Sequence, residues 1–214
     1  MASSSAPTTR GIGTALAVIG TLLIANGAWY TPIMFSAGAE QKFSETGGTW
    51  QFQAFYIAYL VILLALALLA PALGRLVGRT GRQLPGWLPG VLTATVILQA
   101  ATVYAQAFVV PHLAEVAPAA LDSEEIDLFA MSMMVIWVAY SLTWIAVAVI
   151  GAVRRLLPMA AAALIGVGAL VIPVIGPGGS VLIGTGLVSW AVLRVLRRPA
   201  ERAIQSLPAV PVRA

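Results

Sequence analysis

Six long apolar runs dominate this 214-residue chain, at residues 11–30, 52–73, 88–110, 128–149, 157–175 and 181–196, and none contains Asp, Glu or Lys. A bilayer core about 30 Å thick takes roughly 20 apolar residues per helical span, so each run is long enough, or nearly so, to cross it. Strands of a membrane barrel would instead show alternating segments of about 10 residues. The runs therefore predict an all-α, polytopic integral membrane protein with six transmembrane helices in one bundle. Composition agrees: 60% of the residues are hydrophobic and 9% are charged, whereas soluble domains carry about 25% charged residues. That balance excludes a soluble enzyme, a disordered chain and a nucleic-acid binder built on basic patches. The pI of about 10 arises from 11 Arg and 1 Lys set against 8 acids in a mostly apolar chain.

The few charges are sorted. Arg10 precedes the first run; Arg75, Arg79 and Arg82 fill the second loop; Arg154 and Arg155 fill the fourth; Arg194, Arg197, Arg198, Arg202 and Arg213 end the chain, with Glu201 among them. Glu40, Lys42 and Glu45 lie in the first loop, and Glu115, Asp122, Glu124, Glu125 and Asp127 in the third. The positive-inside rule then puts both termini in the cytoplasm. Six spans satisfy the alternation, whereas five or seven would put an Arg cluster on the wrong side. The expected organisation is a disordered cytoplasmic tail over 1–10, a transmembrane domain over 11–196, and a basic cytoplasmic tail over 197–214. Arg10, the apolar run and Ala25-Asn26-Gly27 have the parts of a signal peptide, but the run is long for a signal core, so the first span is expected to be retained. The preference for Arg over Lys, with abundant Ala and Val, suggests a GC-rich bacterium and hence its plasma membrane. In general plan alone, six helices in about 200 residues with cytoplasmic termini resemble the substrate-capturing subunits of energy-coupling vitamin transporters.

The third run carries the main polar signal. Thr95, Gln99, Thr102 and Gln106 are spaced 4, 3 and 4 residues apart, which keeps them on one helix face. Glutamines facing lipid are costly, so the stripe should face the bundle interior. It reads either as the polar lining of a solute site opening outward near His112, or as interhelical hydrogen bonding worth about 0.6 kcal/mol per contact. On the fourth run Trp137, Tyr140, Ser141 and Trp144 share a broad face, with Met133 and Met134 one turn earlier. They read as a pocket for a flat or apolar ligand or as packing. Asn26 is a third polar point, placed to cap a helix or bond a neighbouring one. Gly13, Gly20 and Gly27 recur every seven residues, and Ala162/Gly166 and Ser180/Gly184 repeat a small-xxx-small spacing, marking close helix contacts within the bundle, in a homo-oligomer or with a partner subunit. No tandem or inverted repeat is visible.

His112 and Glu115 stand three apart at the expected outer mouth; two ligands are too few for a zinc site, and no metal is expected. Asp122 with Glu125 resembles a capping box opening the fourth span. Gly176-Pro177-Gly178-Gly179 reads as a tight outer turn. Trp29, Tyr30, Trp50, Phe52, Tyr56 and Trp87 read as interface anchors. The chain has no cysteine, no nucleotide or cofactor motif and no catalytic grouping; no enzyme and no cofactor are expected. Nor is there a carboxylate at depth for proton coupling. The Arg clusters face anionic lipid headgroups. The expected role is binding or passing a neutral or lipophilic solute on the faces of spans three and four. The alternative is a non-catalytic subunit or scaffold acting through helix contacts and a basic cytoplasmic face.

Overall fold

The structure, a computed structural model, describes residues 9–36, 42–76 and 81–196. Among them the regular structure is helical, with no strand. In chain order the helices are α1 (Thr9–Ser36), α2 (Phe43–Gly47), α3 (Trp50–Leu73), α4 (Trp87–Tyr104), α5 (Val110–Val116), α6 (Pro118–Leu121), α7 (Glu124–Val153), α8 (Met159–Ile175) and α9 (Pro177–Trp190). π-helical segments over Ala105–Val109 and Ala191–Leu196 join α4 to α5 and extend α9. Among the described residues four stretches are long and apolar enough to cross a membrane: Thr9–Ser36, Trp50–Leu73, Trp87–Val116 and Met133–Val153. The apolar helices α8 and α9 are shorter; the 17 residues of α8 reach about 26 Å.

The long helices form a closed ring in which each packs on its neighbour in sequence, α1 on α3, α3 on α4, α4 on α7, α7 on α8 and α8 on α9, and α9 returns to α1. Paired contacts give the direction. Gly20 meets Gly184 while Gly27 meets Pro177, and Gly168 meets Gly179 while Gly186 meets Ala161. α1 and α8 therefore each run opposite to α9. The described arginines collect at one end of the ring, Arg10 opening α1, Arg75 and Arg82 between α3 and α4, and Arg154 and Arg155 after α7. There Arg154 donates from its guanidinium to the backbone carbonyl of Gln83 at 2.5 Å. Lys42, Glu45, His112, Glu115 and Asp122 stand at the other end. The charge sorting of the sequence is thus a separation between two ends of one bundle.

Glycine sets the tightest seam. A Cβ on Gly20 would stand 2.6 Å from the carbonyl oxygen of Gly184, and one on Gly184 would stand 2.5 Å from that of Gly20. Only hydrogen fits there. The same holds between α8 and α9, where a Cβ on Gly168 would stand 2.7 Å from the Gly179 carbonyl oxygen. Gly166, by contrast, would place a Cβ in ordinary contact, 3.8 Å from Ala148. Apolar helices gain no hydrophobic drive from meeting inside lipid, so close backbone approach is what holds such seams. Threonines within the helices need no partner helix: the hydroxyls of Thr21, Thr31, Thr93, Thr143 and Thr185 each donate to the carbonyl four residues back, a local bond open to this side chain in any helix.

Four sequence expectations change. The third loop is mostly short helix, α5 and α6, and the third run continues through its π segment to Val116. The N-cap position of α7 is held by Ser123 rather than Asp122, without a side-chain capping bond. Asp122 is drawn away to α2, where it accepts from the backbone N–H and hydroxyl of Ser44. The outer turn shrinks to Gly176 alone, at φ 51 and ψ −101, because Pro177 opens α9 at once with its fixed φ and missing N–H suited to a first helical position. Thr9 and Arg10, assigned to the N-terminal tail, begin α1. The rest of that tail, the C-terminal tail, Glu40, Arg79 and the side chains of Glu124, Glu125, Asp127 and Arg194 lie outside the described residues.

Candidate functional site

The polar stripe of the third run divides on inspection of its hydrogen bonds. Thr95 donates to the carbonyls of Val91 and Leu92, and Thr102 donates to that of Gln99. Both hydroxyls are spent on their own helix. Gln99 is fully buried, and neither its amide nitrogen nor its amide oxygen has a partner. Gln106 has one weak contact, its Nε2 donating to the Met133 sulfur at 3.7 Å, while its Oε1 is unpartnered. A buried polar group left unpaired costs about 1–3 kcal/mol, and a bilayer interior supplies no water to relieve it. Interhelical glue would require partners that the Gln99 amide and the Gln106 oxygen lack.

Gln106 lies in the π segment Ala105–Val109. That segment ends two residues before Pro111, whose ring would clash with the carbonyl four residues back in a straight α-helix. A widened turn relieves the clash, and such π-bulges recur at functional sites. Pro111 was the available sequence signal for it. The amide of Gln106 borders a cavity of about 250 Å³ at the acidic end of the ring. All six long helices reach its wall: Met34 from α1, Tyr56 from α3, Gln106, then Met133, Met134 and Trp137 from α7, Ile172 and Pro173 from α8, and Pro177 from α9. Among the described residues the wall carries no charge. Sulfur and aromatic side chains make it soft and apolar, with one amide to orient what enters.

Beneath this mouth lies a layer of polar aromatics. Tyr140 and Trp144 are fully buried and meet edge to face, with ring centroids 6.3 Å apart at 82°. Tyr59 of α3 and the Trp144 indole approach the Tyr140 hydroxyl, and Ser180 of α9 approaches the hydroxyl of Tyr59. The Tyr140 hydroxyl, the Ser141 hydroxyl and the Trp144 indole N–H close no aligned hydrogen bond. Tyr56, Tyr59 and Ser180 join this site without having been singled out for it; the two tyrosines stand three apart, on one face of α3, which was the visible signal. No protein-family model, curated protein or solved structure matches the chain.

The remaining candidates stand apart. Asn26 donates from Nδ2 to the Phe55 carbonyl at 3.3 Å, tying α1 to α3. His112 and Glu115 line a separate cleft with Gln53, Phe108 and Pro111, so the stripe does not open at His112. Among the described residues no three His, Asp or Glu side chains come together as metal ligands. Asp122 has a structural post. The Ser44 backbone N–H, then its hydroxyl, then the nearby charge of Lys42 hold its carboxyl below the usual carboxylate range. Trp29 and Trp50 lie 6.1 Å apart and are exposed, as is Trp87 near the basic end.

Proposed function

We propose that this chain is a non-enzymatic membrane protein of a bacterial plasma membrane, with six spans and both termini in the cytoplasm, that binds or passes a neutral or lipophilic solute through the mouth bordered by Gln106. The observation that carries this reading is the pair of glutamines on one face of the third run: Gln99 of α4 is fully buried with no partner, and the amide of Gln106 in the π segment has only the Met133 sulfur. The uncharged wall favours an uncharged solute, and the methionines and aromatics favour an apolar body. Native mass spectrometry of the purified protein tests it. A bound small molecule that disappears in the Gln106→Leu and Gln99→Leu variants, with the protein still folded, supports the reading. A protein that carries no small molecule but a stoichiometric partner would replace it.

One observation favours the second reading, a membrane subunit or scaffold. Five described arginines collect at one end of the ring, a basic face suited to an acidic cytoplasmic partner as well as to lipid headgroups. The same mass spectrum separates the two.

A further inference from the structure

We infer that the layer beneath the mouth is a second binding station, which takes an uncharged group that both donates and accepts hydrogen bonds, such as the carboxamide of an aromatic amide. The inference rests on the solute reading of the mouth and deepens it.

Register places the layer. Gln106 meets Met133 across the antiparallel pair α4 and α7. Seven residues back along α4 is Gln99, and seven residues forward along α7 is Tyr140. Both steps are about 10 Å along the ring axis and return to nearly the same helix face. Gln99 therefore lies level with Tyr140, two turns below the floor of the mouth, and Ser141 and Trp144 follow within one turn. In this layer both amide atoms of Gln99 and the Ser141 hydroxyl have no partner, while the Tyr140 hydroxyl and the Trp144 indole nitrogen approach each other, and Tyr140 approaches Tyr59, without closing an aligned hydrogen bond. Gln99, Tyr140 and Trp144 are 0% exposed.

The chemistry of these groups selects the ligand. The Gln99 nitrogen and the Trp144 indole donate only. The Gln99 oxygen accepts only. The two hydroxyls do either. Among the described residues the layer holds no cation to pair a carboxylate and no anion to pair an ammonium, so an ion entering it would be stranded. A primary carboxamide offers the complement, an acceptor oxygen and two donor hydrogens, and a flat ring attached to it suits the Tyr56 and Trp137 walls above.

Fluorine NMR of the full chain in nanodiscs, with its six tryptophans replaced by 5-fluorotryptophan, tests this directly. Trp137→Phe and Trp144→Phe assign the resonances of the mouth and of the layer. Benzamide, toluene and benzoate are the probes. Benzamide is expected to shift the Trp144 signal saturably, while toluene and benzoate leave it in place. Gln99→Leu should weaken the benzamide effect at Trp144 about tenfold or more. Should that variant fail to fold, Gln99→Met replaces it with the same expectation. A shift at Trp137 without one at Trp144 overturns the inner station and leaves the mouth reading standing. An equal Trp144 response to toluene and benzamide overturns it too, as does silence at both tryptophans, in which case the mouth is judged on the mass spectrum alone.

Discussion

Asp122 accepts two hydrogen bonds from one residue, Ser44, across 78 positions of sequence: the backbone N–H at 3.0 Å and the hydroxyl at 2.8 Å. This clamp fastens α2 to the turn before α7 at the acidic end of the ring. Because the folded carboxyl titrates below its usual range, the clamp stabilises the fold at pH values above the ordinary aspartate pKa of about 3.9 and loses its effect as pH falls through the lower folded value. The melting temperature of the wild type should therefore exceed that of Asp122→Asn by a constant margin down to about pH 5, and the margin should close in stronger acid. A margin that holds unchanged to about pH 2 would sink the assignment.

Gln99→Leu should raise thermal stability. It replaces a fully buried amide that has no partner by an apolar side chain of similar size, removing a cost of about 1–3 kcal/mol. The expected result is a higher melting temperature in detergent together with lost solute binding. A clear drop in melting temperature would mean that the amide holds helices together after all.

The glycine seam yields a contrast between two substitutions. Gly184→Val puts a branched side chain where a Cβ alone would stand 2.5 Å from the Gly20 carbonyl oxygen; overpacking of this kind costs about 1–3 kcal/mol or more. Gly166→Ala adds a methyl in ordinary contact with Ala148 and should stabilise α8 by about 0.5–1 kcal/mol through helix propensity. Thermal melts of both variants check the pair, and equal effects would contradict the packing described.

Membrane orientation is open to reporter fusions. A fluorescent protein fused after residue 214 should mature in the cytoplasm, and alkaline phosphatase inserted between residues 37 and 41 should be active outside. The reverse pattern would invert the proposed topology.

The helices were legible because burial in lipid and hydrogen bonding of the backbone leave few alternatives to long apolar helices, and the charges between them were sorted finely enough to foretell two ends. Local chemistry was harder to read. Asp122 has the sequence neighbours of a capping residue, yet Ser44 offers it two donors from a distant element, and a long-range competitor of that kind leaves no trace in spacing. The threonines and glutamines of the third run looked alike on a helix face. They part company because a threonine hydroxyl reaches its own helix backbone and a glutamine amide extends past it. The ring itself, and so the gathering of six helices around one mouth, depends on which helices become neighbours, and apolar periodicity inside lipid says little about that.

The meeting of α1 with α9 has a consequence for biogenesis. Of the long helices, α1 leaves the ribosome first and α9 last, so the seam through Gly20 and Gly184 joins the ends of the order of synthesis. Until α9 has been made, the glycine groove of α1 has no native occupant, and the growing bundle is an open arc rather than a ring. Assembly is then checked at its last step: a chain halted before α9 presents a bare groove that insertion chaperones or membrane proteases can recognise, while a finished chain hides it.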